Sequence, residues 1–427
     1  MSPVNVPSLF GARRLRFWGS LLALLIVLPL LFDKGFALSL LCQISIMVIF
    51  ALSYNMLLGQ TGLLSFGHAV YFGIGAFATM HTLNLIEKGG LALPVTLLPL
   101  VGGLAGLLGG VLFGYVSTKK AGTTFAMISL GIGELVASAS LMFPAVFGGE
   151  GGVSGNRVVG KAVLGISYGP QLQMYYLIAA WAFLCILSMY ALTQTPLGRM
   201  ANAVRDNPER AQFVGYNPQW VRYLVLVLAG MFAGIAGGLS ALNYELVSAE
   251  NLSAVTSGVV LMMAFVGGVG FFYGPVIGAV LITLMQIAVA SVTKAWPFYF
   301  GLFFLAMVLY APGGIASLLF MHKRLWDAHL LRRILPSYVM VSLPLALTVA
   351  GMIGLVEIAY HRAEDANAPA MLFGMAVDTA ASGPWFLALL VFVAGIALLR
   401  LSWPRVAEAW RRALTEIEAA AAAGRQP

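Results

Sequence analysis

Few side chains in this 427-residue chain have the chemistry to bind or react. Its five histidines, at 68, 81, 322, 329 and 361, show neither HxxxH nor HExxH spacing, and no two carboxylates are paired for acid–base work. The phosphate-cradling pattern GxxxxGK[ST] is absent. No catalytic or metal centre is therefore expected. Cys42 and Cys185 both lie inside apolar runs and read as small core residues, not as a disulfide. One ionisable group stands out. Glu134 sits in GTTFAMISLGIGELVASAS, where Thr124, Met127, Gly131, Glu134 and Ser138 recur every three or four residues and so share one helix face. A carboxylate within a membrane helix costs about 2.5–3.5 kcal/mol on insertion scales, so it normally faces a bundle interior. The stripe lines a solute path or a subunit contact, or makes one structural hydrogen bond between helices.

Three further segments carry polar or flexible residues. In GQTGLLSFGHAVYFGIGAF, glycines 59, 62, 67, 73 and 75 interrupt an apolar run that also holds Ser65 and His68. Irregular backbone at membrane depth is tolerated only against protein or water, so Gly62, Ser65, Gly67, His68, Gly73 and Gly75 are candidates for the translocation path. The competing reading is a helix break that eases packing, with His68 satisfied by a neighbouring carbonyl. The segment FVGGVGFFYGPVIGA lacks the Lys-Ser/Thr pair of a phosphate loop. Gly267, Gly268, Gly270, Gly274 and Pro275 are read there as a tight turn between two packed helices. The charged segment 194–222, QTPLGRMANAVRDNPERAQFVGYNPQWVR, interrupts an otherwise lipid-soluble chain. Asn207-Pro208 is a helix-start signal, and Glu209 suits a first helical turn. Arg199, Arg205 and Arg210 offer charge-assisted contacts to a partner. The bland alternative is a solvated loop.

The elements that must position these residues follow from composition. The chain is 60% hydrophobic and 9% charged, with a mean hydropathy of +0.91. Soluble domains carry about 25% charged residues, so this is an all-α polytopic membrane protein. Apolar runs lie near 17–33, 36–58, 63–86, 91–117, 123–147, 173–193, 222–243, 255–270, 274–293, 297–311, 337–359 and 383–403. Some are short, so about 10–12 transmembrane or re-entrant helices are expected. The first run has a basic flank and is read as a retained helix. The net charge of +8 does not point to nucleic acid, because the basic residues lie between apolar runs. Arg13, Arg14, Arg16, Lys119, Lys120, the 199–222 arginines, Lys323, Arg324, Arg332, Arg333 and the tail after Arg400 fall on alternate loops. The intervening loops carry only Lys34, Lys88, Arg157 with Lys161, Lys294 and Arg362. This alternation places both termini in the cytoplasm.

Glycines 102, 106, 110 and 114, and again 230, 234 and 238, recur every fourth residue and give smooth packing faces. LAGLLGGV (104–111) and FAGIAGGL (232–239) share the pattern AGxxGG on helices of opposite direction, a hint of an inverted repeat.

Three blocks, GLLSFGHAVYFGIGAF, TPLGRMANAVRDNPERAQFVGYNP and FVGGVGFFYGPVIGA, together resemble the branched-chain amino acid ABC-transporter permease family, M-type subunit, over residues 36 to 316. The resemblance implies an inner-membrane permease subunit that pairs with a second, homologous permease, two cytoplasmic ATPases and a periplasmic substrate-binding protein. ATP and Mg would be bound by the partners, none by this chain. The solutes would be branched-chain amino acids or small polar relatives such as urea, amides and small acids. The 194–222 segment resembles the family's coupling loop, which puts Arg199, Arg205, Asp206, Asn207, Glu209, Arg210, Ala211 and Gly215 at the ATPase. Residues 1–35 then form a tail and first helix, 36–320 the permease core, and 321–427 an extension with two further membrane helices and a cytoplasmic tail. The alternative is a stand-alone secondary transporter or channel that uses Glu134 and His68 as a proton relay.

Overall fold

The computed structural model describes residues 12–32, 34–159, 167–364, 370–372 and 375–422. Lys161 and the ends of the chain lie outside them, as does part of the 361–383 loop. The helices are α1 (Ala12–Leu31), α2 (Gly35–Thr61), α3 (Ala69–Glu87), α4 (Leu98–Ser117), α5 (Gly122–Met142), α6 (Pro144–Phe147), α7 (Gln171–Gln194) and α8 (Pro196–Asp206). They continue with α9 (Pro208–Phe213), α10 (Pro218–Tyr244), α11 (Ala254–Gly267), α12 (Gly274–Ala290), α13 (Trp296–Tyr310), α14 (Gly314–Asp327), α15 (Leu331–Glu364) and α16 (Ser382–Ala422). Each apolar run of the sequence is helical over most of its length. Among the described residues, eight helices are long and apolar enough to cross a bilayer, and the bent pair α13–α14 makes a ninth. Helices α1, α11 and α12 are apolar but shorter. The chain is thus an all-helical, multi-pass membrane protein.

Two compact units divide the chain. The first holds residues 1–285 and 306–316. Its core is the packing of α10 on α4, α3 and α2. The glycine rows explain the closeness of the α4–α10 crossing. A Cβ on Gly102 would lie 2.6 Å from the Gly234 carbonyl, and one on Gly106 would lie 2.9 Å from the Gly234 Cα. One on Gly110 would meet the Val227 Cα at 2.9 Å. The register runs antiparallel, so the two AGxxGG stretches meet at Gly106 and Gly234, while Gly110 faces Val227 and Gly238 faces Pro99 and Gly102. Their likeness marks a tight backbone crossing.

Within this unit, contacts at the helix ends set the 84–88, 153–157 and 245–247 loops apart from the 118–121 and 194–217 loops. One end holds the paired strands β1 (Val153–Ser154) and β2 (Leu246–Val247), and Asn84 donates there to the Ser154 carbonyl. Arg157 is buried at this end. Its guanidinium donates to the carbonyls of Leu242, Asn243 and Gly169 and to Gln171 Oε1. It thereby caps the C-terminus of α10, where a cation suits the helix dipole. The opposite end gathers the 118–121 and 194–217 loops and the turn at 268–273.

The second unit holds residues 286–305 and 317–427. Helices α15 and α16 pack closely where Gly351 meets Phe392 and Gly395 meets Thr348. Strands β3 (Ala370–Leu372) and β4 (Met375–Val377) pair between them. Toward one end, Leu325, Ile334, Ala413 and Ile417 form a small core, beside which His322 bonds the Tyr338 hydroxyl and Arg333 pairs with Glu416. Toward the other, Lys294 pairs with Glu364 at 2.6 Å, and Tyr299 donates to Glu357.

Candidate functional site

The interrupted segment is a turned-back strand of chain. Helix α2 ends at Thr61, and Gly62 takes φ +70°, a left-handed conformation that suits glycine. Residues 62–68 then run back alongside α2 before α3 starts at Ala69. His68 reaches Ser53, with Nε2 and Oγ 3.0 Å apart. Ser53 is eight residues up α2 from Thr61, roughly 12 Å along the axis. The first turn of α3 therefore begins well inside the bundle. Backbone groups freed by the break find hydroxyl partners. The Ser65 carbonyl accepts from Tyr54 Oη at 3.0 Å. Phe66 N donates to Ser129 Oγ and Ala69 N to Ser257 Oγ, both at 3.0 Å. Nothing in their sequence context sets these three hydroxyls apart from other hydroxyls in the helices.

Of the residues expected to line a path, most of those in 62–75 pack within this chain. Ser65 and His68 are buried, and His68 is ringed by Phe50, Tyr54 and Tyr71. Gly67 allows contact with α5, since its Cβ would lie 3.0 Å from the Ser129 carbonyl carbon. Gly73 accommodates Leu252, and Gly75 the backbones of Gly102 and Gly234. Within this chain these are packing positions. Gly62 lies under the Arg205 side chain.

Glu134 and its stripe do share a face of α5, as spaced. That face points outward: Thr124, Met127, Gly131, Glu134 and Ser138 are exposed, while Phe125, Ala126, Ser129, Gly133, Val136 and Ser140 face the core. Glu134 makes no hydrogen bond or ion pair among the described residues. The structure therefore does not bring Glu134 and His68 together, and a relay through the pair has no geometric basis.

The charged segment forms two short helices outside the spans. α8 is capped by Thr195, whose hydroxyl accepts from Gly198 N, and α9 by Asn207, whose Oδ1 accepts from Arg210 N at 2.9 Å. The buried side of α8, Gly198, Ala201 and Val204, packs on α2, α7 and α10. In α9 only Ala211 is buried. Ala211 was expected at a partner surface and instead faces into its own chain, because it is the residue that seats α9. Arg199, Asp206, Asn207, Glu209, Arg210 and Gly215 are exposed, Gly215 with φ +91°. Arg205 turns inward. Its Nη1 donates to the Gly59 carbonyl and its Nε to Asp206. Arg205 is nonetheless exposed, with 37% of its side chain open, so the intrachain bonds stand beside the expected partner contact and do not replace it. The loop also carries an apolar tip that its charged composition conceals: Phe213 is 90% exposed and Val214 69% exposed, and Tyr216 is exposed as well.

The glycine-rich turn joins α11 to α12. Gly268 has φ +112°, and Gly267 and Gly278 admit the backbones of Gly274 and Met263. Pro275 opens α12 next to Gly274. Gly270 faces open space. The turn also approaches α2, since a Cβ on Gly59 would lie 2.8 Å from the Val269 carbonyl. The three motif blocks thus converge around Gly59.

The chain belongs to the branched-chain amino acid transport system permease component family, whose model matches residues 36–312. It is similar to the high-affinity branched-chain amino acid transport system permease protein LivM of Salmonella typhimurium, with 26% identity over 70% of this chain and 74% of the relative. LivM of Escherichia coli is 25% identical over the same shares. The galactose/methyl galactoside import permease protein MglC of Salmonella typhimurium is 27% identical over 58% of this chain and 76% of the relative. No solved structure matches.

Proposed function

We propose that this chain is the membrane-spanning permease subunit of an ATP-driven importer in a bacterial inner membrane. It would work with a second, homologous permease, two cytoplasmic ATPases and a periplasmic binding protein. Branched-chain amino acids are the first solutes to test, followed by small polar amides and acids. Residues 36–320 form the permease core in this reading and 321–427 an added membrane hairpin. The observation that carries the proposal is the family match together with the α8–α9 pair. This pair is seated on three spans and leaves an apolar tip, Phe213 and Val214, exposed where a soluble partner would meet it. Exposed apolar clusters of this kind mark interaction sites.

The outward face of α5 is the best candidate for the path. A carboxylate facing lipid is costly, so Glu134 calls for water or protein against it. The boundary with the second permease supplies both. The buried segment 62–68 would then act as a brace behind α5 and not as the path lining.

The test is reconstitution of the permease pair with its ATPases in vesicles, followed by uptake of radiolabelled leucine with binding protein present. ATP-dependent uptake is expected. Uptake by the chain alone under a proton gradient, indifferent to ATP, would replace this reading with the secondary-transporter one.

A further inference from the structure

We infer that Arg205 transmits movement of the loop helices to the membrane core, while docking of the ATPase falls to the tip of α9. The inference rests on the importer reading above and divides the loop into two jobs.

The geometry separates them. Helix α9 and its C-terminal turn present Phe213, Val214 and Tyr216 outward. Helix α8 does the opposite, with its apolar side on the ends of α2, α7 and α10. Arg205 lies in the last turn of α8 and aims at the last turn of α2. There the amides of Gly62 and Leu63 already serve the carbonyls of Leu58 and Leu57, which leaves the Gly59 carbonyl without a main-chain partner. The Arg205 guanidinium supplies the missing donor, and its charge suits the negative end of the α2 dipole. Asp206, bonded to Nε at 2.9 Å, holds the guanidinium in that direction.

What Arg205 grips is the point where several elements meet. The 267–274 turn lies against Gly59, and Gly62 passes 3.1 Å beneath the Arg205 Cγ, measured from where a Cβ would stand. The chain then enters the turned-back segment, which bonds α5 through Ser129 and α11 through Ser257. A shift of α8 is therefore delivered to the end of α2 and to the segment braced on α5, the helix that carries Glu134. The Arg205 side chain stays part-exposed, but its Nε and Nη1 are committed to Asp206 and to the Gly59 carbonyl.

The test uses the full transporter in proteoliposomes and reads two quantities, copurification of the ATPases and solute moved per ATP hydrolysed. R205A is expected to copurify with the ATPases as the parent does and to retain basal hydrolysis. Its uptake per ATP should fall about five-fold or more, the size of a typical coupling between sites. R205K keeps a donor for the Gly59 carbonyl and should regain part of that ratio. This comparison decides the matter if R205A assembles poorly. F213D is expected to show the reverse pattern, with loss of copurification. Loss of copurification in R205A, or an unchanged ratio in both Arg205 variants, overturns the assignment. A parent transporter without ATP-dependent uptake overturns the importer reading itself and is recognised before any variant is made.

Discussion

The Ser129 hydroxyl of α5 accepts a hydrogen bond at 3.0 Å from the main-chain N–H of Phe66, 63 residues earlier in the chain. The neighbouring Gly67 lies against the Ser129 backbone, so close that no side chain fits between them. Together these contacts hold an irregular stretch of backbone against a membrane helix. Irregular backbone at membrane depth needs an internal partner, and the hydroxyl supplies one.

Gly67→Ala should therefore be destabilising. The added methyl would overlap the Ser129 carbonyl, and overpacking of this kind costs about 1–3 kcal/mol. Gly19→Ala in α1 is the control, because a Cβ there meets nothing within 4 Å. Thermal unfolding of the detergent-solubilised protein should fall for Gly67→Ala and stay level for Gly19→Ala. Equal midpoints would show that the segment is not braced on α5.

His68 tests the relay reading directly. Its Nε2 is 3.0 Å from the Ser53 hydroxyl, and its Nδ1 is buried without a partner. Ser53→Ala removes the one hydrogen bond the ring makes among the described residues. An unsatisfied buried polar group costs about 1–3 kcal/mol, so thermal stability should drop by that order. The pH dependence of uptake should keep its parental shape. A profile displaced by Ser53→Ala would return His68 to the proton-carrying role.

These two sites show what the sequence could convey. Interruption of a helix near Gly62 was legible, because glycines and polar residues in an apolar run admit few explanations. The direction taken by 62–68 was not. It depends on Ser129 and Ser257, which are single hydroxyls far along the chain and look like any serine in an apolar helix. Periodicity placed Glu134, Thr124 and Ser138 on one face of α5 but could not say which face the core would use. The bond from Arg205 to Gly59 was illegible for a similar reason. An arginine on a basic loop has the same sequence context whether it meets a partner or the end of its own α2. The glycine rows of α4 and α10 were the most transparent feature, since a missing Cβ at every fourth position has meaning only at a close crossing.

Arg157 should matter for stability more than its loop position suggests. Its guanidinium satisfies three carbonyls and Gln171 Oε1, while its N–H donates to Glu245 Oε1 at 2.8 Å. Arg157→Ala leaves those carbonyls at the C-terminus of α10 without a donor. Hydrogen bonds to a charged group are worth about 1.5–3 kcal/mol each, so a loss above about 2 kcal/mol is expected. Arg157→Lys should rescue little, because an ammonium cannot span a fork of acceptors on both sides. Limited proteolysis of the 148–171 loop gives the readout. Cleavage should be faster in both variants, and protection equal to the parent in Arg157→Lys would show that charge alone suffices.

The outward face of α5 offers the sharpest check on where solute travels. Ser138 and Glu134 are exposed on a helix whose other side is packed, and the carboxylate is too costly to leave against lipid. If this face fronts an aqueous path beside the second permease, a cysteine placed on it will meet water. Ser138→Cys should therefore react with a membrane-impermeant thiol reagent in the assembled transporter. Leu108→Cys is the comparison, on a membrane helix and exposed in this chain, but among apolar neighbours. Its thiol should stay protonated in lipid and unreactive, since only the thiolate attacks. Cys42 and Cys185 are both buried, so the parent supplies a quiet background. Saturating solute should slow the labelling of Ser138→Cys if the solute occupies the same space. Equal reactivity at positions 138 and 108 would mean that α5 faces lipid like its neighbours, and Glu134 would then need a protein partner in place of a path.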